Sequence, residues 1–126
     1  MYSHVSLAVR DVERARSFYD AVLDPLDYPR FEEWDWEGGS GYRSQNAESF
    51  WIRADDDARP PSSRQHVAFA APTRDAVDEF HEQALEQGGE SDGAPGLRPE
   101  YGEHYYAAYV VDPDGNRIEA VRDSAD

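Results

Sequence analysis

A chain of 126 residues has room for one ordinary domain, or for two half-domains sharing a core, and should bury about two thirds of its unfolded surface. It has no cysteine, which excludes disulfides, thiolate metal sites and a cysteine nucleophile, so any metal must be held by nitrogen and oxygen. Its formal net charge is −15, from 27 acidic residues against 12 basic ones, a balance that excludes nucleic acid and anionic membranes as partners because phosphate binding needs a cationic face.

Residues 3 to 10 alternate and are rich in valine and leucine, which predicts a strand. Asp11 then caps a helix to about Leu23, with Val12, Ala15, Phe18, Tyr19 and Val22 at helical spacing, and Asp24-Pro25 ends it. Residues 27 to 36 and 41 to 46 read as two strands joined around Gly38-Gly39-Ser40-Gly41, and Ser49 to Arg53 as a fourth, giving a βαβββ module over residues 1–54. The stretch 55–63, with three consecutive aspartates and Pro60-Pro61, has no periodicity and reads as a linker. A second module, 64–126, begins with a strand from Arg64 to Ala71. Thr73 caps its helix, which carries Ala76, Val77, Phe80, Ala84 and Leu85 and stops at Gly88-Gly89. Residues 90 to 103, with Pro95, Gly96, Pro99 and Gly102, are expected to hold at most a short strand. His104 to Val111 and Asn116 to Val121 then close a hairpin across Asp112-Pro113-Asp114-Gly115, a type I turn signal.

The two modules are copies of one unit. His4-Val5-Ser6-Leu7-Ala8-Val9 returns 62 residues later as His66-Val67-Ala68-Phe69-Ala70-Ala71, and each copy is followed at the same +14 offset by a phenylalanine, Phe18 and Phe80. His4, Ser6 and Ala8 share one face of their strand; His66, Ala68 and Ala70 share one face of theirs, with Arg64 two residues earlier on it. Small neighbours leave space around each imidazole. Glu119 sits in the apolar run Ile118 to Val121, where a carboxylate is costly unless something binds it. Two histidines and a glutamate from a duplicated scaffold suggest a metal centre with open positions.

The turn decides what faces that glutamate. If Gly115 forms the bulge that follows a type I turn, Asp112 pairs with Asn116, Tyr109 lies opposite Glu119, and Tyr105, Ala107 and Tyr109 share its face. With a two-residue loop, His104, Tyr106 and Ala108 face it instead; the bulged register is the preferred reading. Trp51 and Arg53, with Ser49, occupy one face of their strand and offer a pocket wall and an anion contact, or else a core aromatic and an exposed arginine. His81 reads as a partly exposed helix residue, and His104 as a solvated loop residue or a lid over the site.

His4-Val-Ser-Leu-Ala-Val-Arg-Asp with Ser17-Phe18-Tyr19, then His66-Val-Ala-Phe, then Asp112-Pro-Asp-Gly-Asn-Arg-Ile-Glu119 resemble the vicinal oxygen chelate superfamily of glyoxalase I, extradiol dioxygenases, and bleomycin- and fosfomycin-resistance proteins. The resemblance covers essentially the whole chain and implies an α+β fold, a single glyoxalase-like domain over 1–126 in which paired βαβββ modules curl into an open sheet around a metal cleft. It implies metal ligation by His4, His66 and Glu119, with iron(II), manganese, nickel or zinc as the divalent ion. Glyoxalase I members usually add a glutamate in the fourth strand, and none stands at Ser49, Phe50 or Trp51. Ser6 and Tyr109 resemble substrate-facing positions of the fosfomycin group, yet a chain without lysine lacks that group's cationic phosphonate cradle.

The expected activity is therefore metal-dependent lyase, isomerase or oxygenase chemistry on a small substrate with vicinal oxygens, with Glu119 and Tyr109 catalytic and Ser6, Trp51, Arg53, Arg64 and Tyr105 substrate-binding. The alternative is a small-molecule sequestering protein of the bleomycin-resistance kind. A homodimer is expected, because each half leaves an open sheet edge. No apolar run approaches the roughly 20 residues of a membrane span and no signal-peptide pattern precedes the first strand, so a cytoplasmic location is expected. The dense acidity without lysine matches the proteome style of extreme halophiles, with an ordinary acidic mesophile protein as the alternative.

Overall fold

The computed structural model describes residues 1–45 and 48–125. In chain order the elements are β1 (His4–Val9), α1 (Val12–Leu23), a 3-10 turn (Glu32–Trp34), β2 (Gly39–Tyr42), β3 (Ser49–Ala54), β4 (His66–Ala70), α2 (Arg74–Glu86), β5 (Glu90–Leu97), β6 (Tyr105–Val111) and β7 (Arg117–Asp123). This is the expected α+β class. The strands form two sheets, in orders β1-β3-β2 and β4-β7-β6-β5, with β1 and β4 each at an edge of its sheet.

Both helices start where the capping residues place them. Asp11 accepts from the Arg14 amide at 3.1 Å and Thr73 from the Ala76 amide at 3.0 Å, satisfying backbone donors that have no partner within the helix. Each helix buries one stripe: Ala15, Phe18, Tyr19, Val22 and Leu23 on α1, Ala76, Val77, Phe80 and Ala84 on α2. The repeated phenylalanines, Phe18 and Phe80, are both fully buried in one core that spans the two halves. Phe50 of β3 meets Phe69 of β4 edge-to-face, with ring centroids 5.0 Å apart, and so joins the sheets' apolar sides. The opposite faces of β1 and β4, carrying His4, Ser6 and Ala8 and then His66, Ala68 and Ala70, are exposed.

A polar clamp also crosses the halves. The Asp112-to-Asn116 turn folds against the first half: Asn116 Nδ2 donates to Ala8 O at 3.0 Å, the Arg10 amide to Asp114 at 3.0 Å, and the buried Tyr19 hydroxyl to Asp112 at 2.6 Å. Burial raises the Asp112 carboxyl above its usual range, against the donors from Tyr19, Asn116 and Asp114 that pull it down.

Two expected elements are corrected. Residues 27 to 36 are not a strand: they make isolated bridges, Arg30 to Tyr42 and Trp36 to Gly39, around the 3-10 turn. Arg30 binds Asp35 at 2.6 Å as well as Asp20 at 3.0 Å, and an ion pair between residues five apart closes a loop that an extended chain would open. Of the glycines expected to form the connecting turn, Gly38 does lie in a turn with Glu37, while Gly39 and Gly41 belong to β2, which is buried along its length. Residue 46, placed at the end of a strand by the sequence, lies outside the described residues. Residues 90 to 97 form a longer strand than expected, because β5 is an edge strand with register shifts on either side of Gly93 and tolerates Pro95.

Candidate functional site

The closing hairpin adopts the bulged register. The Asp112 amide donates to Asn116 O at 2.8 Å, Gly115 takes φ of +89°, and Tyr109 pairs with Glu119. That φ is open to glycine at little cost, which is why the turn needs glycine there. Tyr105, Tyr109 and Glu119 consequently share a face, and β4 runs beside β7 with Ala68 next to Glu119 and His66 next to Arg117. The two-residue register, which would have turned His104 and Tyr106 to this face, is not adopted.

Glu119 is the centre of this face. Its carboxylate is only 2% exposed, yet it has partners on both oxygens: Oε1 lies 2.9 Å from His66 Nε2, and Oε2 accepts from the Tyr105 hydroxyl at 2.5 Å. His66 remains about half exposed, so the pair opens to solvent on the histidine side. Burial, followed by the bond to Glu119 and its charge, pushes the Tyr105 phenol well above its ordinary value and keeps it a proton donor. Burial and the Glu119 charge raise the Tyr109 phenol too, against the guanidinium of Arg98, which lies 5.3 Å from the tyrosine ring centroid.

An imidazole nitrogen and a carboxylate oxygen that converge in this way are a donor pair suited to a borderline divalent cation, so His66 and Glu119 fit a metal ion. His4 does not join them within one chain. It stands on β1, in the other sheet, with Nδ1 3.0 Å from Ser3 Oγ. Among the described residues no three His, Asp or Glu side chains come together as a ligand set.

The remaining sequence-derived candidates divide between two clefts. His4, Ser6, Trp51 and Arg53 line one of about 550 Å³, together with Trp34, Trp36 and Arg43. Arg64 and His66 line another of about 660 Å³, which Ser6 also borders, with Arg59 and Asn116. Trp34, Trp36 and Arg43 were missed because the surrounding segment reads as a strand pair; the signal available was the Trp-x-Trp spacing next to a strand of glycines. Outside both clefts, His81 bonds Ser91 Oγ at 2.7 Å and burial lowers its pKa, while His104 stands 3.7 Å from the exposed Glu103 carboxylate.

Residues 2–120 match the model of the Glyoxalase/Bleomycin resistance protein/Dioxygenase superfamily. A glyoxalase/bleomycin resistance protein from Albidiferax ferrireducens T118 has a solved structure that superimposes with a TM-score of 0.84 at 31% identity, covering 98% of each chain. The fosfomycin resistance protein FosX from Listeria monocytogenes superimposes with a TM-score of 0.72 over 98% of this chain and 93% of its own, at 18% identity, a likeness of fold. The protein YqjT of Bacillus subtilis (strain 168) is 25% identical in an alignment 135 positions long that covers 96% of this chain and 98% of its own.

Proposed function

The chain belongs to the Glyoxalase/Bleomycin resistance protein/Dioxygenase superfamily, and from that premise we propose that it is a divalent-metal-dependent enzyme acting on a small substrate with vicinal oxygens, by lyase, isomerase or oxygenase chemistry. One observation supports this reading above the others: a carboxylate buried in a sheet face, with an imidazole nitrogen 2.9 Å from it and that imidazole open to solvent. A buried carboxylate serving only stability has no need of an accessible partner.

In this reading His66 and Glu119 hold the ion, iron(II), manganese, nickel or zinc, and His4 completes the set from a second copy of the chain. A homodimer supplies it, since β1 and β4 are edge strands whose ligand-bearing faces are uncovered in one copy. The ion supplies a Lewis acid for the substrate oxygens. Tyr105 fixes the Glu119 carboxylate through Oε2 and, by keeping its own proton, leaves Oε1 to hold the ion or, once Glu119 shifts off it, to take a proton from substrate. Tyr109 stands beside the same carboxylate as a protonated phenol facing the substrate, and Ser6 and Arg64 border the way in from the neighbouring cleft.

Sequestration without turnover is the second reading, favoured by the tryptophan-lined cleft around His4. The test is a screen of metal-loaded protein against 2-oxoaldehyde hemithioacetals, catechols and epimerisable 2-substituted acids, with Glu119→Gln as control. Turnover that disappears in the variant supports the enzyme. Tight binding by both proteins with no turnover supports sequestration. Metal content unchanged by His66→Ala would remove His66 from the site.

A further inference from the structure

The cleft around His4 is built by one half of the chain and has an unusual charge balance. All three tryptophans of the protein line it. Trp34 stacks on Trp51 with centroids 4.9 Å apart and planes 20° apart, and Trp36 leans on Trp51 at 6.0 Å. Gly41 of β2 makes this possible: a Cβ there would stand 2.7 Å from Trp34 and 2.8 Å from Trp51. The wall is held in place from outside the cleft. Arg16 of α1 donates to Trp36 O at 2.8 Å and Gly39 O at 2.9 Å, and Arg30 holds Asp20 and Asp35. A ligand entering meets aromatic surface that is already organised, which removes much of the ordering cost of binding.

Two arginines lie against these rings. The Arg43 guanidinium is 4.9 Å from the Phe31 centroid and 5.1 Å from that of Trp34, and Arg53 is 5.8 Å from Trp36. Neither forms an ion pair among the described residues, although the chain carries 27 carboxylates for 12 basic groups. Among the described residues, no aspartate or glutamate lines the cleft. A bare aromatic cage attracts cations through its ring faces. Here guanidinium groups already occupy that role, so an arriving cation meets two like charges and an anion meets two partners free to bind it.

We infer that this cleft binds a planar aromatic anion, an aromatic carboxylate in particular, with the ring against the tryptophans and the carboxylate on Arg43 and Arg53. Binding itself stands on the cleft alone; that the bound molecule is the substrate rests on the proposed function, through His4, which lines the cleft and is the third ligand in that reading.

The experiment is calorimetric titration with 2-naphthoate, neutral 2-naphthalenemethanol, a naphthylmethylammonium salt and cyclohexanecarboxylate, with the three indole N–H resonances followed by NMR. The expected result is saturable binding of 2-naphthoate that shifts the indole signals, at least about tenfold tighter than each of the other three ligands. Arg43→Gln with Arg53→Gln, both exposed side chains, should weaken naphthoate at least about tenfold while leaving the melting temperature in place. Turnover is read separately, in the activity screen, so a failure of the metal reading leaves this binding result standing. No saturable binding, a preference for the ammonium ligand, or equal naphthoate affinity in the double arginine variant would overturn the inference.

Discussion

Removing one hydroxyl, in Tyr19→Phe, tests how the halves are held together. Tyr19 is wholly buried, and among the described residues its O–H is the donor that α1 gives to Asp112, at 2.6 Å; the other donors to that carboxylate, the Asp114 and Asn116 amides and Asn116 Nδ2, come from its own turn. A hydrogen bond to a charged acceptor contributes about 1.5–3 kcal/mol, and losing it leaves Asp112 Oδ2 buried with one partner fewer. An unfolding entropy of about 2.1 cal/mol/K per residue over the whole chain gives roughly 0.26 kcal/mol/K, so a loss of about 2 kcal/mol lowers the melting temperature by about 8 °C. The pH dependence has a definite sign. Asp112 is already raised above 3.8 by burial, so ionising it costs stability as pH rises through its folded value, and the Tyr19 hydroxyl offsets part of that cost. The variant's deficit is therefore full at pH 7 and shrinks as acidification protonates Asp112. Thermal melts of both proteins at neutral and acidic pH make the measurement. A shift below about 2 °C at pH 7, or a deficit that grows on acidification, would refute the clamp.

Gly41→Ala brings a methyl within 2.8 Å of both Trp34 and Trp51; forcing the rings apart should cost about 1–3 kcal/mol and change tryptophan emission, both read in one fluorescence melt. With a net charge of −15, the folded state should gain stability from about 0.1 M to 2 M KCl as self-repulsion is screened, and a flat melting curve against salt would remove support for a halophilic origin. Mixing unfolded His4→Ala and His66→Ala chains and refolding them together should restore about a quarter of the parent's bound metal if each site takes His4 from one copy and His66 from the other, because half the dimers are mixed and each rebuilds one site of two. No recovery, with dimers present by light scattering, would count against a site shared between copies.

Local rules made much of this molecule legible in the amino-acid sequence. Asp11 and Thr73 start the helices because each offers an oxygen to an amide without a partner, an interaction spanning three residues. Gly115 sets the hairpin register because a positive φ is needed there, and that register places Tyr105 and Tyr109 beside Glu119. The duplicated strand-helix pattern follows from the same periodicities, whereas the meeting of Glu119 with His66, 53 positions apart, was implied by the family resemblance and not by any local rule. Contacts between residues far apart in the chain followed no such rule. Residues 27 to 36 read as a strand, but the Arg30 ion pairs with Asp20 and Asp35 fold them into a turn, and Trp34 and Trp36 then close over Trp51 above Gly41. The placement of His4 was equally hidden. Its strand shows that it faces the same way as Ser6, but which sheet that strand joins depends on its pairing with β3, 45 positions further along from His4 to Ser49, and it is this pairing that separates His4 from His66 and Glu119 within a single chain. Side-chain direction is a property of the local backbone, whereas the company a side chain keeps is decided by packing between segments, which only the tertiary structure supplies.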